Sequence, residues 1–158
     1  MEFSITKGEF FKGLQKSQGV ADTKGAIPIL SNILIEVVDS GIWIYATDLN
    51  IGIKGFYKAS VKNKGKFTVN ARKLFDIVRE LPDADINVSQ KPGSKRKEPE
   101  PESAELWINL SCGNYKTRLP GLPVDEFPAF PSYGEDYLVK FEPSQLKDMV
   151  RKTIFSIS

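Results

Sequence analysis

The chain has 158 residues and a net charge of +2, and 41% of its residues are hydrophobic. This composition is typical of a soluble globular protein with one domain and room for part of another, and so small a charge does not by itself indicate nucleic-acid binding. The sequence contains no histidine and only one cysteine, Cys112, which excludes imidazole catalysis, histidine-ligated metals and an intrachain disulfide.

The first 65 residues predict a strand, a helix and then further strands. Phe3 and Ile5 alternate with polar residues, as in a half-buried strand, and Thr6 with Glu9 forms a capping box that begins a helix. Residues 20–27 are predicted to form a loop. Three strands should follow, at 29–38, at 42–46 and from Ile51 onward.

The opening pattern then returns. A strand at 66–69 leads to Asn70, a favourable N-cap for a second helix. A short strand at 86–88 and two strands at 106–110 and 115–119 follow, separated by a highly charged loop at 90–105. The apolar residues of the two parts match at an offset of 64, which pairs Phe3, Ile5, Phe10 and Leu14 with Phe67, Val69, Leu74 and Val78.

This internal repeat predicts an α+β domain with pseudo-two-fold symmetry, in which two helices pack on small antiparallel sheets. Helices are expected near 7–18 and 71–81, packed side by side through Phe11, Leu14, Leu74, Phe75 and Val78. The pattern begins a third time near Leu138. We therefore predict a first domain at 1–122, an interdomain linker at 123–136 and the truncated start of a second domain at 137–158.

Four segments, taken in order, resemble the beta subunit of bacterial DNA polymerase III, the sliding-clamp family. They are Pro28–Val37 (PILSNILIEV), Ala46–Asn50 (ATDLN), Phe67–Asp76 (FTVNARKLFD) and Leu119–Pro128 (LPGLPVDEFP). The resemblance implies the DNA-clamp fold and a processivity factor that encircles duplex DNA without sequence preference and tethers the replicative polymerase. It also implies a ring-shaped homodimer of three-domain chains, to which DNA polymerase III and a clamp loader bind. We expect this chain to be the N-terminal part of such a protein, without the partner pocket between the second and third domains.

Basic residues on the predicted helices are the candidate DNA contacts. Lys12 and Lys16 are four residues apart and share one helix face, and Arg72 and Arg79 flank Asp76 on the polar side of the second helix. Such side chains contact phosphates without reading sequence. The residues alone favour an ordinary solvated helix face, and only the resemblance places these helices around a central hole. It also makes Lys24, in the 20–27 loop, a candidate DNA contact; an exposed loop lysine is the alternative.

The last strand of the first domain is the candidate dimer interface. Its residues Tyr115, Lys116, Thr117 and Arg118 combine an aromatic ring with basic groups, and the resemblance makes this edge the partner of a third domain in another chain. The alternative is an ordinary edge strand that Lys116 and Arg118 protect from aggregation.

No catalytic residue, metal site or cofactor is predicted, because the candidate carboxylates lie in turns or at helix ends, where aspartate caps backbone N–H groups. These candidates are Asp22, Asp48, Asp83 and Asp85. The sequence also lacks an apolar stretch of roughly 20 residues and a signal peptide, so we expect a cytoplasmic protein with no membrane partner. A second hypothesis remains open. The chain could be a clamp-fold interaction module that binds proteins and never encircles DNA.

Overall fold

The computed structural model of the chain describes residues 1–21, 27–90, 106–130 and 140–156. Compact packing divides the chain into two units, Met1–Pro128 and Ala129–Ser158. The predicted limits at 1–122, 123–136 and 137–158 stay predictions. The predicted charged loop at 90–105 lies outside the described residues except for Gln90, as do residues 131–136 of the predicted linker and residues 137–139 of the predicted third strand.

The first unit follows the predicted order of a strand, a helix and several strands, twice. Its first part contains, in order, β1 (Glu2–Thr6), α1 (Lys7–Gln18), β2 (Asn32–Val38), β3 (Gly41–Thr47), β4 (Gly52–Lys58) and β5 (Ser60–Asn63). Its second part contains β6 (Gly65–Asn70), α2 (Ala71–Glu80), β7 (Asp85–Gln90), β8 (Leu106–Cys112) and β9 (Tyr115–Gly121). The α+β class and the helix positions are confirmed.

The strands form two antiparallel sheets with related topologies. One sheet has the order β5-β1-β7-β8-β9 and the other has the order β4-β3-β2-β6. The offset of 64 relates β1 to β6, and β1 pairs with β7 just as β6 pairs with β2. Each part of the repeat therefore contributes strands to both sheets, and the sheets share one core.

Aromatic residues at the predicted repeat positions meet their own equivalents. The Phe11 ring stacks on the Phe75 ring with centroids 5.1 Å apart, and the Phe3 and Phe67 centroids are 6.5 Å apart. A residue that contacts its own symmetry equivalent must lie close to the symmetry axis. The pseudo-two-fold axis therefore passes between the helices and through the core, which confirms the repeat and the side-by-side helix packing.

Two details of the first part differ from the prediction. Pro28–Ser31 forms a 3₁₀ turn, so the strand predicted at 29–38 begins only at Asn32. Proline has no N–H and a fixed φ, which suits the first turn of a helix, and the apolar run continues because the turn buries Ile29 and Leu30. In addition, the strand predicted from Ile51 is divided at Ala59, because β4 and β5 belong to different sheets.

The second unit contains the predicted helix α3 (Pro143–Thr153), with Pro143 in its first turn. Its apolar residues Leu146, Met149 and Val150 are about half exposed. The predicted strand at 137–142 is only partly visible. Residues 140–142 are not in a strand, and the rest lie outside the described residues.

Candidate nucleic-acid-facing helices and exposed sheet edge

The two helices of the first unit are antiparallel, and both begin at the predicted caps. Thr6 Oγ1 accepts a hydrogen bond from the Glu9 amide at 3.4 Å, and Asn70 Oδ1 accepts one from the Lys73 amide at 2.9 Å. At the start of α1, Lys7 Nζ donates to the Arg79 carbonyl oxygen at 2.9 Å and to that of Leu81. The start of α1 therefore lies beside the end of α2, and the Lys7 ammonium satisfies carbonyls that α2 leaves unpaired.

The predicted basic residues lie on the face of the helix pair that points away from the sheets. Phe10, Leu14, Leu74 and Val78 are buried on the inner side, whereas Lys12, Lys16, Arg72 and Arg79 are all exposed. The structure thus brings four of the five candidate DNA contacts onto one surface. The fifth, Lys24, lies outside the described residues.

These four cations differ in their surroundings. Lys12 Nζ lies 3.0 Å from Glu9 Oε1. Arg79 lies 3.4 Å from an Asp76 oxygen and 3.0 Å from a Glu80 oxygen, and the hydrogen bond to Glu80 is the main cause that raises the pKa of its guanidinium. Within the described parts of the chain, neither Lys16 nor Arg72 has a carboxylate within ion-pair distance. The sequence prediction did not distinguish Lys12 and Arg79, which have carboxylate partners, from Lys16 and Arg72, which have none in the described ranges.

The candidate interface residues lie on an edge strand. β9 is the outermost strand of its sheet and pairs with β8, where Arg118 stands opposite Asn109 and Thr117 opposite Leu110. All four residues from Tyr115 to Arg118 are exposed, and Tyr115 is 63% exposed. The Arg118 guanidinium carbon lies 4.6 Å from the centroid of the Trp107 ring, a cation–π contact that orients it along the outer surface.

An open apolar groove runs between this edge and helix α2. Its cavity has a volume of about 400 Å³. The residues around it come from α2, β8 and β9 and are Asp76, Ile77, Glu80, Leu81, Leu110, Ser111, Cys112, Tyr115, Lys116 and Thr117. Sequence reasoning found only the β9 side of this groove. Ile77, an apolar residue next to the buried stripe of α2, was the available signal for the other side.

The equivalent groove in the first half of the repeat is closed. The strand registers make β4 equivalent to β9, Tyr57 equivalent to Leu119 and Gly55 equivalent to Thr117. Tyr57 is half-buried beneath α1, and its ring lies 2.9 Å from where a Cβ on Gly13 would stand. The absence of side chains at Gly13 and Gly55 lets the tyrosine fill this groove, and that is why only the β9 side stays open.

Of the aspartates considered as alternative catalytic groups, Asp22 lies outside the described residues, and the others have structural roles or no cluster around them. Asp48 accepts hydrogen bonds from the amides of Ile51 and Asn50 at 2.7 and 2.9 Å, and these bonds lower the pKa of its carboxyl. They hold a tight turn in which Leu49 adopts a φ of 76°. No group of three metal-ligating side chains occurs among residues 1–21, 27–90, 106–130 and 140–156. Within these ranges, no helix is long and apolar enough to cross a membrane.

Comparison with known proteins gives one consistent family. The sequence profile of the DNA polymerase III beta subunit, N-terminal domain, matches residues 1–131. The beta sliding clamp of Chlamydia muridarum is 30% identical over the whole chain, and that of Caulobacter vibrioides is 32% identical. The chain spans 40% of the length of each of these relatives.

Solved structures agree with the sequence comparisons. The DNA polymerase sliding clamp from Caulobacter crescentus superposes with a TM-score of 0.84 at 31% identity, over all of this chain and 40% of that one. A Helicobacter pylori beta clamp bound to a DNA ligase peptide matches 85% of this chain and 33% of its own, with a TM-score of 0.73 at 27% identity. The predicted clamp fold is therefore confirmed.

Proposed function

The chain belongs to the family of the DNA polymerase III beta subunit, through its N-terminal domain, and from this premise we propose that it contributes to a sliding clamp. The complete clamp encircles duplex DNA without reading sequence and tethers the replicative polymerase. It is an accessory subunit with no catalytic activity of its own. The chain supplies one domain of the ring. DNA polymerase III and a clamp loader are the proposed partners of the complete ring.

The exposed helix face supports the DNA part of this proposal. A clamp must hold DNA and still let it slide, so it needs phosphate contacts from long cationic side chains and no base readout. Lys12, Lys16, Arg72 and Arg79 meet this requirement, because they project from a rigid helix pair toward solvent. A rigid pair of helices also presents them at fixed spacing along the duplex.

The observation that carries the ring proposal is the open groove beside β9. In a head-to-tail ring, one edge of each domain binds a different edge of the next domain, so each domain needs two unlike edges. In the described residues, β9 and β4 are the equivalent outer edges of the two sheets, and only the β9 edge has an open apolar groove beside it. We propose that β9 pairs with an edge strand of another clamp domain, which inserts an apolar side chain between Ile77 and Leu110.

Lys73 adds a residue to this proposed interface. It is exposed on the side of α2 that faces the end of β9, where it lines a second, smaller pocket with Asn70 and residues 119–122. Together with Lys116 and Arg118 it places three cations along the edge, whereas Asp76 and Glu80 line the α2 side of the groove. We therefore expect the partner edge to carry acidic residues opposite these three cations, and none beside the apolar side chain that enters the groove.

The reading frame of the gene beyond codon 158 is the first test of the proposal. A frame that continues through two further clamp domains allows a closed ring. The product is then loaded on nicked circular DNA, and retention should be lost when the circle is linearised. Equal retention on circular and linear DNA would contradict encirclement.

A second function is favoured by the same edge if the frame stops at codon 158. The strand β9 and its groove are complete within this chain, so the chain could cap the free edge of a full-length clamp without encircling DNA. Gel filtration of the chain with a full-length clamp from the same organism would separate the two proposals. A stable complex that no longer loads on circular DNA would support the interaction module.

A further inference from the structure

The charges on the helix pair are distributed unevenly along its length. The Phe11–Phe75 stack marks the middle, and the Lys7 bonds mark the end where α1 starts and α2 finishes. With a rise of about 1.5 Å per residue, Lys16 lies about 7 Å and Arg72 about 4–5 Å from the middle, both toward the opposite end. Lys16 and Arg72, neither of which has a carboxylate partner among the described residues, therefore share the end where α1 finishes and α2 begins, which we call the open end. Lys73 lies at this end as well, but it faces the end of β9.

The other half of the helix pair is rich in carboxylates. Glu9, Asp76 and Glu80 lie there, and Asp76 and Glu80 both contact Arg79. The Lys7 ammonium is turned inward onto backbone carbonyls. Lys12 has its backbone near the middle, but its ammonium reaches back to Glu9 Oε1 at 3.0 Å and so belongs with this half, which we call the paired end. A phosphate that approaches Arg79 meets two carboxylates within the same turn of helix, and their repulsion offsets the attraction of one guanidinium.

We propose that the helix pair contacts duplex DNA only through its open end, with Lys16 and Arg72 as the phosphate-binding residues. Lys12 and Arg79, although exposed and basic, do not contribute because carboxylates already hold them. This inference rests on the proposed DNA-facing role of the helices and refines it. It implies that a duplex beside these helices lies closer to their open end, rather than centred along their length.

Two matched double variants test the proposal on the chain as it stands. Lys16→Ala with Arg72→Ala removes two cations from the open end, and Lys12→Ala with Arg79→Ala removes two from the paired end. Both change the net charge equally, so long-range electrostatics cancels between them. Fluorescence anisotropy with a short duplex is measured at salt concentrations from 20 to about 200 mM, because such binding is salt-dependent. Thermal unfolding checks that each variant folds.

The open-end variant should bind at least about tenfold more weakly at low salt. The slope of log K against the logarithm of the salt concentration should become shallower by about 0.9 for each lost phosphate contact. The paired-end variant should change affinity by less than about twofold. A third variant, Asp76→Asn with Glu80→Gln, releases Arg79 and should strengthen binding several-fold, and removing Arg79 from that background should abolish the gain.

Amide chemical shifts in the labelled chain separate this inference from the function on which it rests. Shifts confined to the surroundings of Lys16 and Arg72 on adding the duplex would support the proposal. Equal losses of affinity in the two double variants, with shifts along both helices, would overturn the inference and leave the DNA-facing role intact. No affinity change in any variant and no shift on either helix at 20 mM salt would overturn the DNA-facing role itself.

Discussion

The two halves of the first unit share the same order of strands and helix but differ in the groove between the helix and the edge strand. Both helices begin at side-chain caps one repeat apart, Thr6 and Asn70, and their phenylalanines Phe11 and Phe75 stack on each other. Two residues further along each helix, the first half has Gly13 and the second has Ile77. In the first half a tyrosine closes the groove between helix and edge strand, and in the second half that groove remains open.

This difference shows how a duplicated domain can acquire two unlike edges. A glycine on the helix and another on the strand leave space for the Tyr57 ring, so the β4 side is completed within the chain. On the β9 side, Leu119 is too short to reach across, and Ile77 and Leu110 remain as apolar walls. A head-to-tail ring requires such asymmetry, because two identical edges would pair with each other.

The substitution with the largest expected effect is Tyr57→Ala, which removes the ring that closes the first groove. Removing the ring should open the first groove and lower the free energy of unfolding by about 3 kcal/mol, because a half-buried aromatic side chain is lost and only partly replaced by relaxation. A small apolar probe such as indole should then shift the amide signals of both grooves, whereas in the parent chain it shifts only residues around Ile77 and Leu110. An unchanged stability would mean that Tyr57 does not close the groove.

Gly13→Val addresses the same closure from the helix side. An added Cβ would stand 2.8 Å from Ile44 Cδ1 and 2.9 Å from the Tyr57 ring, so the ring must move. We expect a loss of about 2 kcal/mol, since overpacking outweighs the gain in helix propensity. Gly8→Ala is the control in the same helix, because nothing lies within 4 Å of its added Cβ, and it should be neutral or slightly stabilising. Chemical denaturation measures both, and equal behaviour would refute the packing argument.

Lys7→Met tests an asymmetry between the helix ends. Lys7 caps the carbonyls at the end of α2, but its equivalent one repeat later is the buried Ala71, which cannot return the bond. The loss of charge-assisted hydrogen bonds to a half-buried site should cost about 1.5 kcal/mol. Lys12→Met, which removes an exposed ion pair, should cost less than about 0.5 kcal/mol. Hydrogen exchange in the last turn of α2 should accelerate only in the Lys7 variant.

The smallest expected effect is a pH dependence that only the first half possesses. The Tyr45 hydroxyl donates to Glu36 at 2.8 Å, whereas the equivalent positions in the second half are Ser111 and Ser89. Burial and then the bond to Glu36 raise the pKa of Tyr45 to about 12 from 10.0. As the pH rises, the unfolded chain loses the Tyr45 hydroxyl proton at a lower pH than the folded chain. The contribution of Tyr45 to the free energy of unfolding is therefore complete below pH 10 and is lost as the pH rises toward 12.

That loss should be about 1 kcal/mol, and Tyr45→Phe should remove it. The measurement is the free energy of unfolding in denaturant at pH 9 and at pH 11.5. A parent chain and a Tyr45→Phe variant with the same slope would contradict the assignment. Glu36 does not confuse this window, because its own pKa is lowered, chiefly by the bond from Lys66, and its carboxyl is already ionised there.

Features that depend on neighbours a few residues apart could be predicted from the sequence. The caps at Thr6 and Asn70, the helix lengths, the repeat at an offset of 64 and the alternation of most strands are all such features, because capping and amphipathic periodicity act locally. The resemblance to the clamp family, carried by four short segments, then placed this domain correctly among known folds. Local pattern alone misassigned 29–31, since an apolar run does not distinguish a strand from a buried 3₁₀ turn.

Tertiary structure alone decided the properties that distinguish one edge from the other and one helix end from the other. Nothing near Gly13 in the sequence shows that Tyr57 will lie beneath it, and nothing near Ile77 shows that the same space will stay open beside β9. Likewise, the sequence shows Asp76 and Glu80 beside Arg79, but only the antiparallel helix packing shows that Arg72 shares its end with Lys16, away from those carboxylates. Such differences depend on which residues from distant parts of the chain meet, and sequence order does not encode those distances directly.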